Sequence, residues 1–538
     1  MAFKQFDAKT NAGLASYSAG AAHANDSRLN AVEQLLGPAA LARRGEQPAL
    51  VSGDEKVSYA DLALRVRRSG AALRALGAQP GARVVFVMRD TPEFAAAWLG
   101  AVRAGAVAVA LNNRLAETQY RHILADSQAR LMVVDELFAL AQPDLIAELS
   151  AANCAVQAGR PLPGVVSWEE CVARASADEP AYDAPAETPA FWLYSSGTTG
   201  QPKGIVHTHR AITCAGAAFR TLGIGQGQRV FTSSKFFFAY GLEHALLAPL
   251  ALGATSIVYA DWPDAEAVID ITDRYRPAAI FSVPTLYRRL LAEPHERLAP
   301  FRAVHRFVAG GERLSRQLSA QWRDTVGGEI LNLYGMSETF CACIMTPPGT
   351  SDGARTGKPL DGVEVKLLDA QGEEPRAPDP GVLWVRHPAQ AREYANLPRQ
   401  TREQFRDGWF CSLDLFVRDA EGFLVHQGRT DELIKIAGQW VQPGEIEEIV
   451  ARESAVLEAA CVPLPDAEGL ERLALFVTPR NEPVLALEAA TRACERALPG
   501  HKRPKWVRAV SELPRTATGK VQRFKLREIL ERELARKD

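Results

Sequence analysis

The 538-residue chain has almost no net charge: 62 Lys and Arg stand against 64 Asp and Glu, a formal balance of −2. A dedicated nucleic-acid binder carries a basic surplus, so that class is set aside. No run of about 18 apolar residues occurs, which removes a membrane-spanning helix. The stretch Met1 to Asn30 is polar and small, without the apolar core of a secretory signal, so a cytoplasmic protein is expected. The eight cysteines (Cys154, Cys171, Cys214, Cys341, Cys343, Cys411, Cys461 and Cys494) form no CxxC pair. Reduced thiols are therefore expected rather than disulfides or a zinc site. Internal repeats and low-complexity tracts are also missing.

What is present is a large apolar store, 47% hydrophobic residues, enough for three to four units of about 150 residues. From Ser58 to Tyr334 short apolar runs alternate with helical patterns. Arg83–Met88, Ala106–Leu111, Leu131–Val134, Ala190–Tyr194, Arg229–Thr232, Ala254–Tyr259, Ala278–Ser282, His305–Val308 and Glu329–Leu333 read as strands. Continuous apolar strands separated by helices predict parallel sheets covered on both faces. The expected fold class is α/β: two doubly wound sheets in one large N-terminal region, with ligands at the carboxyl ends of strands. Pro161–Pro189 reads as a surface connection, and about 356–427 as a small β subdomain. A compact α+β piece follows. The expected boundaries are 1–428, a hinge at 429–432, and a mobile C-terminal domain at 433–538.

The most informative segment runs from Tyr194 to Gly204, after an apolar strand and before a helical pattern. Ser195, Ser196, Thr198 and Thr199 supply hydroxyls, and Gly197 and Gly200 let backbone N–H groups approach an anion. Lys203 adds positive charge. The composition is that of a phosphate cradle, though the GxxxxGK[ST] spacing is absent.

This segment resembles the signature of the adenylate-forming acyl-CoA synthetases. Further motifs follow in family order: Tyr334–Thr339, Thr356–Gly362, Gly428–Lys435 and Pro514–Lys520. The string Lys235–Gly241 and the segment Phe191–Ser196 resemble the benzoate-CoA ligase branch in particular.

The resemblance implies a two-step ligase. ATP and an aromatic acid give an acyl-adenylate and pyrophosphate, and the CoA thiol then displaces AMP. It implies Thr199 and Glu338 near Mg²⁺, Lys203 on phosphate, and Lys520 between the acyl carboxylate and the phosphate. Two anions must meet, so fixed donors are needed to offset their repulsion. Gly310, Gly311 and Glu312 match an adenine-contacting segment, with Gly335, Met336 and Ser337 beside it and Tyr334 expected to stack on the base. Asp414 falls at the ribose-binding aspartate and Arg429 at a ribose or phosphate donor. Here Cys411 and Leu413 replace the family's Arg and Gly, which leaves the local backbone shape open. Phe238, Ala239, Tyr240 and Gly241 are expected in the acyl pocket, with Phe238 and Tyr240 sandwiching a ring. Cys341 stands where that branch commonly has a histidine. Asp431 is the implied hinge, and Gly438 and Trp440 the implied lining of a CoA tunnel.

His207 and His209 read as structural residues at a helix start, since no third metal ligand has suitable context. The expected partners are a small aromatic acid, ATP and CoA, with no nucleic acid or membrane, in a monomer or homodimer. No carrier-type extension follows Asp538, so free CoA is the expected acceptor. A ligase for aliphatic or alicyclic acids, a carrier-loading enzyme and a homologue without turnover stay open at this point.

Overall fold

The computed structural model describes residues 30–196, 202–430, 432–436, 439–466, 468–515 and 521–535, without the side chains of Ser196, Trp440 and Ala535. Two large sheets dominate. The nine-stranded one runs Lys358–Pro359, Ile344–Met345, Ile330–Tyr334, Arg306–Gly310, Ala279–Ser282, Arg229–Thr232, Thr255–Ile257, Pro48–Ser52 and Glu55–Ser58. The eight-stranded one runs Glu393–Tyr394, Pro202–Thr208, Pro189–Ser196, Val107–Ala110, Arg83–Val87, Leu131–Val134, Ala155–Gln157 and Val166–Ser167. Inner strands pair in parallel, and antiparallel pairing is confined to edges.

The period-two alternation of a strand explains the layering. Val84 and Phe86 enter the core shared by both sheets, while Val85 and Val87 enter the layer behind. Phe281 and Val308 join that shared core, and Ile280 and Phe307 face away from it. Helix Pro92–Arg103 is buried almost all round, as its apolar circumference requires. Thr91 Oγ1 accepts from Phe94 N at 3.2 Å to cap it, with Pro92 at its first position. A Cβ on Gly100 would come within 2.8 Å of Gly70 N, so bare backbone is what lets this helix meet Tyr59–Ala75.

Three readings of the sequence change. Pro202–Thr208 is a strand that hairpins back on Pro189–Ser196, where a helical pattern was expected. It is flanked by strands on both edges and buried along most of its length, so its side chains lose the polar alternation that marks a half-exposed strand. The connection after Pro161 carries a short strand and helix Trp168–Arg174, anchored by buried Trp168. The region at 356–427 is not a separate sheet throughout. Glu364–Leu368, Gly381–Arg386, Phe405–Arg406, Trp409–Arg418 and Leu424–Arg429 form an antiparallel sheet, but Lys358–Pro359 and Glu393–Tyr394 join the two large sheets.

Beyond this, Ile434–Ile436 pairs with Gln439–Val441. Val456–Pro465, Glu471–Pro479 and Trp506–Ala509 form a three-stranded sheet with helices Pro443–Ala451, Pro483–Ala497 and Arg523–Ala535. Among the described residues no helix is long and apolar enough to cross a membrane, and all eight cysteines are free.

Candidate active site

The strand pair places Ser195 opposite Lys203. Gly197, Thr198, Thr199 and Gly200, in the hydroxyl-rich segment between the two strands, lie outside the described residues, as do Asp431, Gly438 and Lys520 and the side chains of Ser196 and Trp440. Lys203 Nζ reaches Glu338 Oε1 at 3.3 Å. Tyr394, which sequence reasoning missed, completes the group. Its hydroxyl donates to Glu338 Oε1 at 2.8 Å, and Lys203 Nζ lies 3.9 Å from its ring centroid. Burial and the neighbouring carboxylate push the Tyr394 phenol far above its ordinary range, so it stays a donor. Both contacts use Oε1, which leaves Oε2 as the oxygen suited to a cation. One protein carboxylate fits Mg²⁺ where phosphates and waters supply the other oxygens.

A second cluster forms around Asp414, opposite Arg429 in the antiparallel ladder. Tyr334, at the end of its strand, donates to Asp414 Oδ2 at 2.8 Å. His426 Nε2 lies 3.1 Å from Oδ1, and Arg429 Nη1 3.5 Å from Oδ2. Burial pushes the Asp414 carboxyl up, but His426 and Arg429 together outweigh it and hold the group below its usual range. His426 left no signal in the sequence because it enters through ladder register.

Leu413 holds a backbone conformation that glycine adopts freely. Leu413 adopts a φ of +62°, in the left-handed region, in the irregular stretch between Cys411 and Leu415 that faces Val382 and Trp384. Ser412 Oγ donates to Leu383 O at 2.7 Å and accepts from Asp414 N at 3.0 Å. Thr430 N donates to Leu413 O at 2.8 Å. These bonds hold a conformation that costs a non-glycine residue about 1–2 kcal/mol.

The Gly310–Glu312 segment sits at the carboxyl end of Arg306–Gly310. A Cβ on Gly310 would meet the Tyr240 ring at 3.2 Å, so the glycine admits that ring. Glu312 Oε2 accepts from Thr285 N at 3.1 Å and Oγ1 at 2.7 Å, and Arg515 lies 3.8 Å from Oε1. The carboxylate thus ties a helix start to the chain just ahead of Lys520. Arg515 also pairs with Glu458 at 2.7 Å, and Glu458 with Arg288 at 3.5 Å. Gly335 is exposed and Met336, Ser337 and Glu338 half-buried, an open loop beyond Tyr334.

Phe238 and Tyr240 do not face each other as a pair. Phe238 packs with Phe237 and Trp262 at 4.4 and 6.5 Å, whereas Tyr240 packs with His244 at 4.9 Å and donates to Ser282 O at 3.2 Å. Ala239 stands between them, half-buried, and a Cβ on Gly241 would fall 2.0 Å from Lys235 O. Cys341 is fully buried, its Sγ 3.9 Å from Ala211 O. Burial, then the Glu243 carboxylate, push its thiol well up.

His207 and His209 are structural, but only His209 begins a helix. His207 lies on the strand, stacks on Phe191 at 4.8 Å and contacts Ser337 O at 2.9 Å. Burial lowers it to about 3. His209 Nδ1 accepts from Ala31 N at 3.2 Å, and burial lowers it to about 4.

Compared with known proteins, residues 38–395 match the AMP-binding enzyme family and residues 445–520 the AMP-binding enzyme C-terminal domain. The chain is 39% identical over 507 residues to a 3-hydroxybenzoate–CoA ligase of Aromatoleum sp. (strain CIB), covering 93% of this chain and 97% of that one. It is 36% identical over 508 residues to a benzoate–CoA ligase of Thauera aromatica, covering 93% and 96%. Its fold superposes on a benzoate CoA ligase from Burkholderia xenovorans LB400 with a TM-score of 0.85 at 32% identity, over 93% of this chain and 100% of that one.

Proposed function

The chain belongs to the AMP-binding enzyme family, and from that membership we propose how its residues divide the work of an aryl-CoA ligase acting on a substituted benzoate. The reaction is ATP-dependent and AMP-forming. The aromatic carboxylate attacks the α-phosphorus of ATP, and pyrophosphate leaves with the electrons of the broken bond. The CoA thiol then attacks the acyl carbonyl, and AMP leaves.

In this reading Lys203 and the hydroxyl-rich segment hold the phosphates, and Glu338 would hold Mg²⁺, which would neutralise phosphate charge. Tyr394 keeps Glu338 aimed and packs its ring against Lys203. Asp414 accepts from the ribose hydroxyls, Arg429 donates to ribose or phosphate, and Tyr334 presents a flat face to the adenine. Arg515 docks the C-terminal residues on Glu312, which suits a state in which Lys520 reaches the first half-reaction. Rotation at Asp431 would then bring Gly438 and Trp440 forward for the second. The eight free thiols support a reducing, cytoplasmic setting.

The observation that carries this assignment is the Lys203–Glu338 pair, 3.3 Å apart. Two opposite charges side by side can each take one pole of a Mg²⁺–phosphate complex. The test is pyrophosphate release with a panel of aromatic, alicyclic and aliphatic acids, followed by CoA-dependent AMP release. Substituted benzoates should release pyrophosphate and consume CoA. Preference for aliphatic acids would overturn the aryl reading.

A further inference from the structure

Glu243 and His244 are consecutive ionisable residues, each only 1% exposed. They lie in the π-helical turn Leu242–Leu247, directly after the Tyr240 segment. Such turns are rare and gather at functional sites, because the inserted residue re-aims the side chains beside it.

Each side chain is half used. Glu243 Oε2 accepts from Ala342 N at 3.0 Å, while Oε1 is buried with no hydrogen-bond partner. His244 Nδ1 lies 2.9 Å from Tyr240 O, and since a carbonyl only accepts, Nδ1 carries the hydrogen. With the hydrogen on Nδ1, this tautomer leaves its lone pair on Nε2. That nitrogen too is buried without a hydrogen-bond partner, 3.6 Å from Glu243 Oε2. Buried polar atoms are almost always paired, and an exception calls for a ligand or a function. Holding Ala342 N needs one carboxylate oxygen, so that duty does not account for the second.

Their position supplies the ligand. The His244 ring is 4.9 Å from that of Tyr240, and the Glu243 carboxylate interacts with the Cys341 thiol. Tyr240 and Cys341 are the residues assigned to the acyl pocket. Two acceptors therefore converge beside the residues assigned to the acyl pocket.

We infer that Glu243 and His244 select a hydrogen-bond donor on the aromatic ring of the acid, an aryl hydroxyl or amino group. A hydroxyl has one hydrogen to give and satisfies one acceptor. A primary amine has two and satisfies both. A methyl, fluoro or methoxy group satisfies neither. The inference rests on the aryl-CoA ligase reading and deepens it.

The test uses the full-length enzyme with 2-, 3- and 4-hydroxy and amino benzoates beside the position-matched methyl and fluoro acids. The best donor-bearing acid should exceed its matched analogues by at least about tenfold in kcat/KM, the scale expected when buried polar groups are left unpaired. Glu243→Gln keeps an oxygen for Ala342 N but turns the other atom into a donor. It should cut the ratio of donor-bearing to unsubstituted acid by about tenfold or more, and a general loss of activity cancels in that ratio. An unchanged ratio in the folded variant overturns the inference. If the variant does not fold, equal turnover of donor-bearing and matched acids by the parent enzyme overturns it. Turnover of aryl acids without donor preference removes the inference alone, whereas no turnover of any aryl acid removes the ligase reading with it.

Discussion

The Lys203 ammonium lies 3.3 Å from the Glu338 carboxylate, over the face of a tyrosine whose hydroxyl binds the same carboxylate oxygen. Tyr394 therefore does two things at once. Its hydroxyl aims Glu338, and its ring shelters Lys203 from water.

Those two contributions separate by mutation. Tyr394→Phe keeps the ring and loses a hydrogen bond to a charged group, worth about 1.5–3 kcal/mol. Pyrophosphate release should fall at least about tenfold, with the larger effect at low Mg²⁺. Tyr394→Leu should fall further, since the ring face is lost too. Parental rates in Tyr394→Phe would show that Glu338 needs no such partner.

Leu413 reverses an ordinary ranking. In most sites alanine is more stable than glycine, because glycine loses more backbone freedom on folding. At a φ of +62° the order inverts. Leu413→Gly should be more stable than Leu413→Ala by about 1 kcal/mol in urea unfolding, since both remove the same side chain and only glycine relieves the backbone. Equal or opposite stabilities would mean that the left-handed turn is not held in solution.

Acid should weaken the fold well above the carboxylate range. His207 and His209 titrate at about 3 and about 4 when folded, below the ordinary 6.5. The unfolded chain then binds more protons between those limits, so stability is full above pH 6.5 and falls as pH drops. From pH 6.5 to 5 each contributes a loss of about 2 kcal/mol. Asp414 is also depressed, so its share of stability is lost only at lower pH, as its folded carboxyl titrates. Urea unfolding at pH 7, 6 and 5 should show the decline, with a shallower slope in His209→Asn. A flat profile would contradict the buried neutral state of both rings.

Lys520→Ala should block adenylation by a few hundred-fold, the cost of about 3–4 kcal/mol for one well-placed donor. Thioester formation from supplied acyl-adenylate should survive. Arg515, bound to Glu312 and Glu458, places the chain ahead of Lys520 beside the candidate nucleotide site. Equal loss in both half-reactions, measured by single turnover, would remove Lys520 from the first step.

Much of this protein can be read along the chain, because its signals are short-range. The strands of the two sheets are continuous apolar runs, and Lys203, Glu338, Asp414 and Arg429 sit in motifs a few residues long. Such patterns depend on local spacing alone. What could not be read depends on which distant segments pair. Tyr394 reaches Glu338 because Glu393–Tyr394 zips onto Ile205–Val206, and His426 reaches Asp414 through ladder register. Leu413 keeps a glycine-like turn because Ser412 and Thr430 bind around it. Glu243 meets Ala342 because a π-turn packs on the loop ahead of Ile344–Met345. A sequence specifies residue types and their local periodicity. Their convergence is decided by long-range hydrogen-bond register and core packing, which bring together side chains that carry no mutual signal in the linear order.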